Sequence, residues 1–223
     1  MTDHIVKAYD DELNTLHELI HHMGEMTVQQ IDKAIQSIIK GDEKLAHKVI
    51  ETDDEINLLE VKIDELAVRI IALRQPVAFD LRTVVAALKI SNQVERIADY
   101  ATNIARRTLM LHDMPHLPLV EGLPALLKIP KRMFERALVA FATHDLNLAL
   151  HVWHMDREVD ELFNEYLTEL FNAMIADPKN VGPCTQLLFA AKNIERIGDQ
   201  STNIAEAVYT LVTGKQFKES DPQ

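Results

Sequence analysis

The residues best equipped for chemistry in this sequence are acidic, and they recur. Glu95 and Asp99 stand four positions apart within Val94-Glu95-Arg96-Ile97-Ala98-Asp99, and Glu195 and Asp199 repeat the spacing within Ile194-Glu195-Arg196-Ile197-Gly198-Asp199. Thr102-Asn103-Ile104-Ala105 and Thr202-Asn203-Ile204-Ala205 extend the match, one hundred residues apart throughout. Upstream, Asp53-Asp54-Glu55-Ile56-Asn57 aligns with Asp156-Arg157-Glu158-Val159-Asp160, one hundred and three residues on. Chance does not readily produce both matches, so the chain reads as a duplicated unit with a small deletion in its second copy.

At about 100° per residue, Val94, Ile97, Ala98, Ala101, Ile104 and Ala105 form one core-facing arc, while Glu95 and Asp99 share a flank beside it that Asn103 continues. On the preceding segment Asp53 and Asn57 occupy the corresponding flank beside the stripe Ile56, Leu59, Ile63, Leu66, Ile70 and Leu73. Antiparallel neighbours bring such flanks together along one side of their seam. Heights match as well. Asp53 with Asp99, and Asn57 with Glu95, are equidistant from Pro76; Asp156 with Asp199, and Asp160 with Glu195, are equidistant from the junction of Asp177 and Pro178. Each half is therefore expected to gather four oxygen-bearing side chains at its surface: Asp53, Asn57, Glu95 and Asp99, then Asp156, Asp160, Glu195 and Asp199.

Oxygen donors without thiols select hard or borderline cations, so the expected cofactors are divalent or trivalent metal ions such as iron, manganese, magnesium or calcium. A single acidic pair one turn apart reads as an ordinary solvated face. Repetition argues otherwise, because like charges at that spacing cost a helix ~0.2–0.5 kcal/mol and a second acidic line opposite adds repulsion. Arg96 and Arg196 offer the competing outcome, a salt-bridge network that consumes the acids.

The elements that must position these groups are helices. Leu16, Ile20, Met23, Ile31, Ile35 and Ile38 step by threes and fours, and Gly41-Asp42 supplies a stop and the next cap. The second stripe ends at Pro76, which also suits the first turn of the next helix; the third runs from Leu81 to near Met110. Pro115, Pro118, Gly122 and Pro124 then mark a break over Leu111 to Pro124. A second triplet follows at about Leu126–Thr143, Leu146–Ile175 and Asn180–Thr213, with Pro130 expected to set the first turn of the fourth helix. The fold class is all-α, two tandem three-helix bundles from an internal duplication: residues 1–113, a linker at 114–124, residues 125–215, and a tail at 216–223.

Composition agrees. Gly 6 and Pro 8 in 223 residues, with aromatics at 5%, argue for long helices and against all-β folds. Lys+Arg 23 against Asp+Glu 35 leaves a net charge of −12, which repels nucleic acid and anionic lipid unless a basic patch is segregated. No apolar run suits a membrane span and the start lacks a secretory pattern, so no direct membrane insertion is expected. The single Cys184 fits a reducing, cytoplasmic compartment.

Other motifs are weaker. Glu18-Leu19-Ile20-His21 has the Glu-x-x-His spacing of di-iron bundles, but in one copy, and His21, on a long helix beside His17 and His22, reads as a surface or capping residue. His151 and His154 flank Trp153 at the edge of the core. No phosphate-cradling glycine loop, nucleophile elbow or basic aromatic patch is present.

Taken together, these pieces resemble the PhoU family of phosphate-signalling proteins. The residues that carry the resemblance are the two Glu-Arg-Ile-x-Asp lines at Glu95 and Glu195, the turn Arg74-Gln75-Pro76 followed by Asp80-Leu81-Arg82, and the upstream acids Asp53 and Asp156. The likeness runs from about Leu13 to Lys215. It implies two three-helix bundles, metal clusters on the paired acidic motifs and no catalytic activity. It also implies a cytoplasmic role in a bacterium or archaeon, restraining phosphate uptake and starvation signalling through the phosphate transporter ATPase and a phosphate sensor histidine kinase. A homodimer is the assembly expected with that role. Asn57 departs from the family pattern, which usually has an acid there, so the first site is expected to bind metal more weakly. The second half lacks counterparts of Arg74-Gln75 and Asp80-Leu81-Arg82, which makes any contact through them one-sided. Two further classes compete, a ferritin-like di-iron helical-bundle enzyme and a structural helical adaptor. The enzyme needs inward acids with paired histidines, and the adaptor needs no repeated acid clusters.

Overall fold

The computed structural model describes residues 2–218, with side chains from Tyr9 onward. Six helices carry the fold: α1 (Thr2–Lys40), α2 (Glu43–Arg74), α3 (Ala78–Leu111), α4 (Leu123–Thr143), α5 (Leu146–Ala176) and α6 (Val181–Thr213). Short 3-10 turns at Pro118–Gly122 and Pro178–Asn180 lead into α4 and α6, and no strand occurs among the described residues.

The duplication is visible in the turns. Gly41 adopts a left-handed φ of 62°, and Asp42 then caps α2 by accepting from the Leu45 amide at 3.0 Å. In the second half His144 takes the same conformation at φ 53°, and Asp145 caps α5 through Leu148 at 3.0 Å. Such a cap contributes about 1 kcal/mol by satisfying an amide that the helix leaves unpaired. Glycine fills the left-handed position without a Cβ penalty; His144 bears that penalty and uses its ring in packing instead.

Three proline expectations need correction. Pro76 stands between helices, since α2 ends at Arg74 and α3 begins only at Ala78. Pro130 lies inside α4 rather than in its first turn, because Pro124 already holds that place and the helix starts three residues earlier than the apolar stripe suggests. A proline there removes one helical hydrogen bond, and Pro130 sits buried in the core as part of α4's packed face. The expected linker is consequently half helical: Pro118–Gly122 forms a turn and α4 begins within residues 114–124.

Each triplet packs on itself, and the two triplets join mainly through α3 against α6, with α1 meeting α4. The central pair runs antiparallel: Arg82 near the start of α3 donates to the Leu211 carbonyl at 2.8 Å, and Arg107 near its end donates to Gln186 at 3.2 Å. Small residues are buried along both helices, Ala86, Ala87, Ala98 and Ala101 on α3 and Ala190, Ala191 and Ala207 on α6, while Gly198 faces Val159 of α5, which a Cβ there would meet at 3.5 Å. Every member of the predicted arc from Val94 to Ala105 is buried. One hydrophobic core runs through both halves. Ile97 and Ile197 are fully enclosed in it, and truncating either to alanine is expected to cost ~2–5 kcal/mol.

Candidate functional site

The first acidic seam lies between α2 and α3. Asp53 is held from two sides: its Oδ1 accepts from the Thr102 hydroxyl at 3.1 Å and from the Gln30 amide of α1 at 3.3 Å. The same Gln30 nitrogen reaches Thr102 Oγ1 at 3.0 Å and the Val49 carbonyl at 3.2 Å, so a buried polar network fixes this carboxylate. Glu95 and Asp99 follow on α3. Burial pushes the Glu95 carboxyl up to about 7, helped by repulsion from Asp99, Glu60 and Asp53 and opposed by Arg96. Asp99 is raised by the same two causes, burial first and then the charge of Asp53. The Asn57 side-chain oxygen is enclosed and meets no hydrogen-bond partner.

The second seam lies between α5 and α6 and repeats the plan. Thr202 donates to Asp156 Oδ1 at 3.4 Å, one hundred residues after Thr102. Asp199 is pushed up to about 6 by desolvation and then by Glu195, Asp156 and Asp160, with Lys192 pulling the other way. Asp156 is raised by burial and by its acidic neighbours. Glu195 departs from the expected exposed flank. It is only 9% exposed, its Oε1 accepts from Lys192 at 2.6 Å, and its Oε2 is buried without a partner. The cause is α6 itself, which is packed on nearly every side and carries Glu195 inward with it.

The seven predicted acids act on one another within their halves, Asp53 with Glu95 and Asp99, and Asp156 with Asp160, Glu195 and Asp199, while Asn57 on α2 makes no hydrogen bond to its three. Among the described residues no three His, Cys, Asp or Glu side chains are drawn together in a geometry that holds an ion. The donor set nonetheless suits a hard cation: oxygen atoms only, repulsion that a positive charge would relieve, and an orphaned oxygen in each seam on Asn57 and Glu195. Arg96 and Arg196 do not consume the acids in ion pairs; Arg196 lies instead over the Tyr100 ring at 5.8 Å.

Sequence reasoning missed the supporting residues. Thr102 and Thr202 stood in the matched segments, which was a usable signal; Gln30, Glu60 and Lys192 have no repeat partner of their own type and gave none. The weaker motifs resolve structurally. His21 pairs with Glu25 at 3.6 Å rather than presenting a ligand with Glu18. His17 is half-buried and stacks on Phe141 at 5.0 Å, and burial lowers its pKa. Cys184 is buried, and burial raises its thiol pKa. Arg74 forms a two-point bridge to Glu12 at 2.8 and 3.1 Å, Asp80 accepts from Tyr9 at 2.9 Å, and Arg82 is committed to Leu211, so these residues clamp helices inside the chain.

Two fused three-helix bundles, each with an acidic seam steadied by a threonine from its last helix, define a duplicated all-helical class of protein with no catalytic constellation among these residues. Comparison with known proteins makes the class specific. The PhoU domain matches residues 20–108 and again residues 123–208, and the chain belongs to the PhoU family. It is 44% identical over 216 residues to a protein of Zymomonas mobilis named phosphate-specific transport system accessory protein PhoU homolog, covering 97% of this chain and 91% of that one. A Caulobacter vibrioides protein of the same name is 41% identical over 224 residues, covering 100% and 97%. The crystal structure of PhoU from Pseudomonas aeruginosa superposes with a TM-score of 0.86 at 36% identity, over 93% of this chain and 100% of that one.

Proposed function

We propose that this protein is a cytoplasmic, non-enzymatic, metal-binding regulator that restrains phosphate uptake and phosphate-starvation signalling by contact with the phosphate transporter ATPase and a sensor histidine kinase. The observation that carries the reading is membership of the family across both halves, with relatives named as accessory proteins of a phosphate-specific transport system. No helix among the described residues is long and apolar enough to cross a membrane, which suits an accessory protein that docks on membrane components from outside the bilayer. Asp53, Glu95 and Asp99 with Asn57, and Asp156, Asp160, Glu195 and Asp199, would hold divalent or trivalent cations. A bound cation supplies positive charge that neutralises the repelling carboxylates. The chain's own residues do the positioning: Thr102 and Gln30 orient Asp53, Thr202 orients Asp156, and the packed face of α6 fixes Glu195. Charge complementarity of this kind sets orientation and on-rate in docking more than affinity, and metal occupancy would tune it. The expected assembly is a homodimer, checked by native mass measurement.

Deleting the gene in a bacterium that carries it and has no paralogue should raise phosphate uptake or derepress starvation genes, and the protein should co-purify with the transporter ATPase or sensor kinase. Normal uptake and normal starvation-gene expression in both rich and limiting phosphate would overturn the proposal.

A further inference from the structure

α1 and α4 lie antiparallel, since His17 meets Phe141, Gly24 approaches Leu138 and Asp32 meets Lys131. Their seam is tied at one end, where Lys131 reaches both carboxylate oxygens of Asp32 at 2.7 Å. Beyond that tie it opens into a groove of about 880 Å³, lined from Asn14 to Gln29 on α1 and from Glu135 to His144 on α4 and its cap. The floor is apolar, made of Ile20, Gly24 and Val28 with Leu138, Val139 and Phe141. Gly24 admits the leucine into the seam: a Cβ there would stand 2.5 Å from Leu138 Cδ1. Val139 remains 52% exposed. From Asn14 to Gln29, α1 rises about 22 Å, or about four turns.

Carboxylates border that floor. Glu18 and Glu25 stand seven residues apart on α1, Glu135 borders the groove from α4, and among the described residues no lysine or arginine lines it. Glu25 meets His21 at 3.6 Å, and Glu135 lies 3.9 Å from Lys131, whose charge Asp32 already engages more closely. Long contacts between exposed groups of this kind leave most of the negative charge at the rim. A single exposed valine is ordinary. An apolar trough of helical length with an acidic rim is a recognition surface, because it matches the apolar face and the flanking charges of a second helix.

We propose that the α1/α4 groove receives a basic amphipathic helix of a partner protein. Its apolar face lies on Val28, Leu138 and Val139, and lysine or arginine side chains seven residues apart on its flank meet Glu18 and Glu25. The length of the trough selects a helix over a small ligand, and the sign of the rim repels nucleic acid and anionic membrane. A second copy of this chain suits the groove less well. Its exposed stripe on α2, Leu58, Val61 and Val68, carries the exposed Glu65 at the same helical spacing, which would meet the acidic rim, and each copy bears a charge of −12. The proposal rests on the reading that this protein acts by contact and names one face for that contact; other faces remain, so failure of the groove leaves that reading standing.

The test is fluorescence anisotropy of the full chain with a labelled synthetic helix of about sixteen residues, matched to the groove, with leucines on one face and lysines on both flanks. Two control peptides carry the same composition in scrambled order and the same leucine face flanked by glutamates. At about 0.15 M salt, where long-range attraction is screened, the lysine helix should saturate one site per chain and bind at least about tenfold more tightly than either control. Val139→Asp should weaken it about tenfold by setting a carboxylate against the leucine face. Val61→Asp, at a valine 51% exposed on α2, should leave it unchanged. Glu18→Gln combined with Glu25→Gln should weaken it about fivefold, the loss of two exposed charge pairs. Equal binding of the scrambled peptide, equal responses to Val139→Asp and Val61→Asp, or indifference to the groove variants with helicity intact would overturn the proposal. Native mass measurement supplies the remaining outcome: dissociation of a dimer by Val139→Asp would assign the groove to a second copy and overturn it too.

Discussion

In the first seam the Asn92 amide reaches Glu60 at 3.3 Å, and Glu60 adds its charge to those of Asp53, Glu95 and Asp99. In the second seam the corresponding positions hold Lys192 and Phe163. The ammonium lies over the ring at 5.4 Å and donates to Glu195 at 2.6 Å. Duplication kept the oxygen positions and changed what stands beside them. Asn57 removes one carboxylate from the first seam, but Glu60 restores one nearby, while Lys192 places a cation inside the second. The weaker first site expected from Asn57 alone therefore rests on an incomplete charge count.

The largest effect should come from breaking each seam separately. Glu95→Ala with Asp99→Ala, and Glu195→Ala with Asp199→Ala, should each remove one seam's share of bound metal by elemental analysis, with circular dichroism unchanged. Full metal content in either double variant would dissociate that seam from metal binding. In these single-seam proteins the second seam should surrender its cation to chelator first. Lys192→Met should then tighten the second seam about tenfold, equivalent to ~1.4 kcal/mol. Earlier loss from the first seam would show that Asn57 outweighs Glu60 and Lys192 together.

A smaller effect concerns pH. Glu95 and Asp199 are pushed up to about 7 and about 6, so the folded protein holds these protons more tightly than the unfolded chain does. The stability this confers is present below the ordinary carboxylate range and is lost as pH rises through the folded values. The melting temperature of metal-free protein should accordingly fall between about pH 4 and about pH 7, and Glu95→Gln and Asp199→Asn should each flatten part of that slope. A slope unaffected by either variant would place its origin elsewhere.

The smallest effect separates the two threonines. Thr102 both donates to Asp53 and lies within reach of Gln30, whereas Thr202 makes a longer bond to Asp156. Register places Met133 in the second half where Gln30 stands in the first, and its buried side chain offers no amide. Thr102→Val should therefore destabilise by about 1 kcal/mol more than Thr202→Val in urea unfolding, because it removes two hydrogen bonds of one buried network, to Asp53 and from Gln30, whereas the Thr202 hydroxyl lies nearer the Gly198 carbonyl, at 3.2 Å, than Asp156. Equal losses would mean that the Gln30 network adds nothing.

Much of this architecture was legible because duplication and helical periodicity are local in the sequence. The arc from Val94 to Ala105, the caps at Asp42 and Asp145, and the matched heights of the acids all follow from spacing. What spacing cannot report is which face of a helix meets a distant one. Glu195 reads as exposed until α6 is enclosed on nearly every side, and Arg82 reads as a surface contact until Leu211 arrives beneath it. Pro130 shows the converse: a local rule placed it in a first turn, and the earlier start at Leu123 with Pro124 overrode that rule.

The antiparallel union of α3 and α6 also orders events during synthesis. Of the six helices α6 is the last to leave the ribosome, yet it covers a face of α3 completed roughly seventy residues before α6 begins and supplies the Leu211 carbonyl to Arg82 across 129 positions. Until then α3 presents its small-residue face to water and to neighbouring nascent chains. Pairing between such distant segments is slow because the intervening loop must close before any contact rewards it. The first bundle must consequently wait as a partly uncovered intermediate, and chaperone engagement is expected there, at the interval between completion of α3 and release of α6.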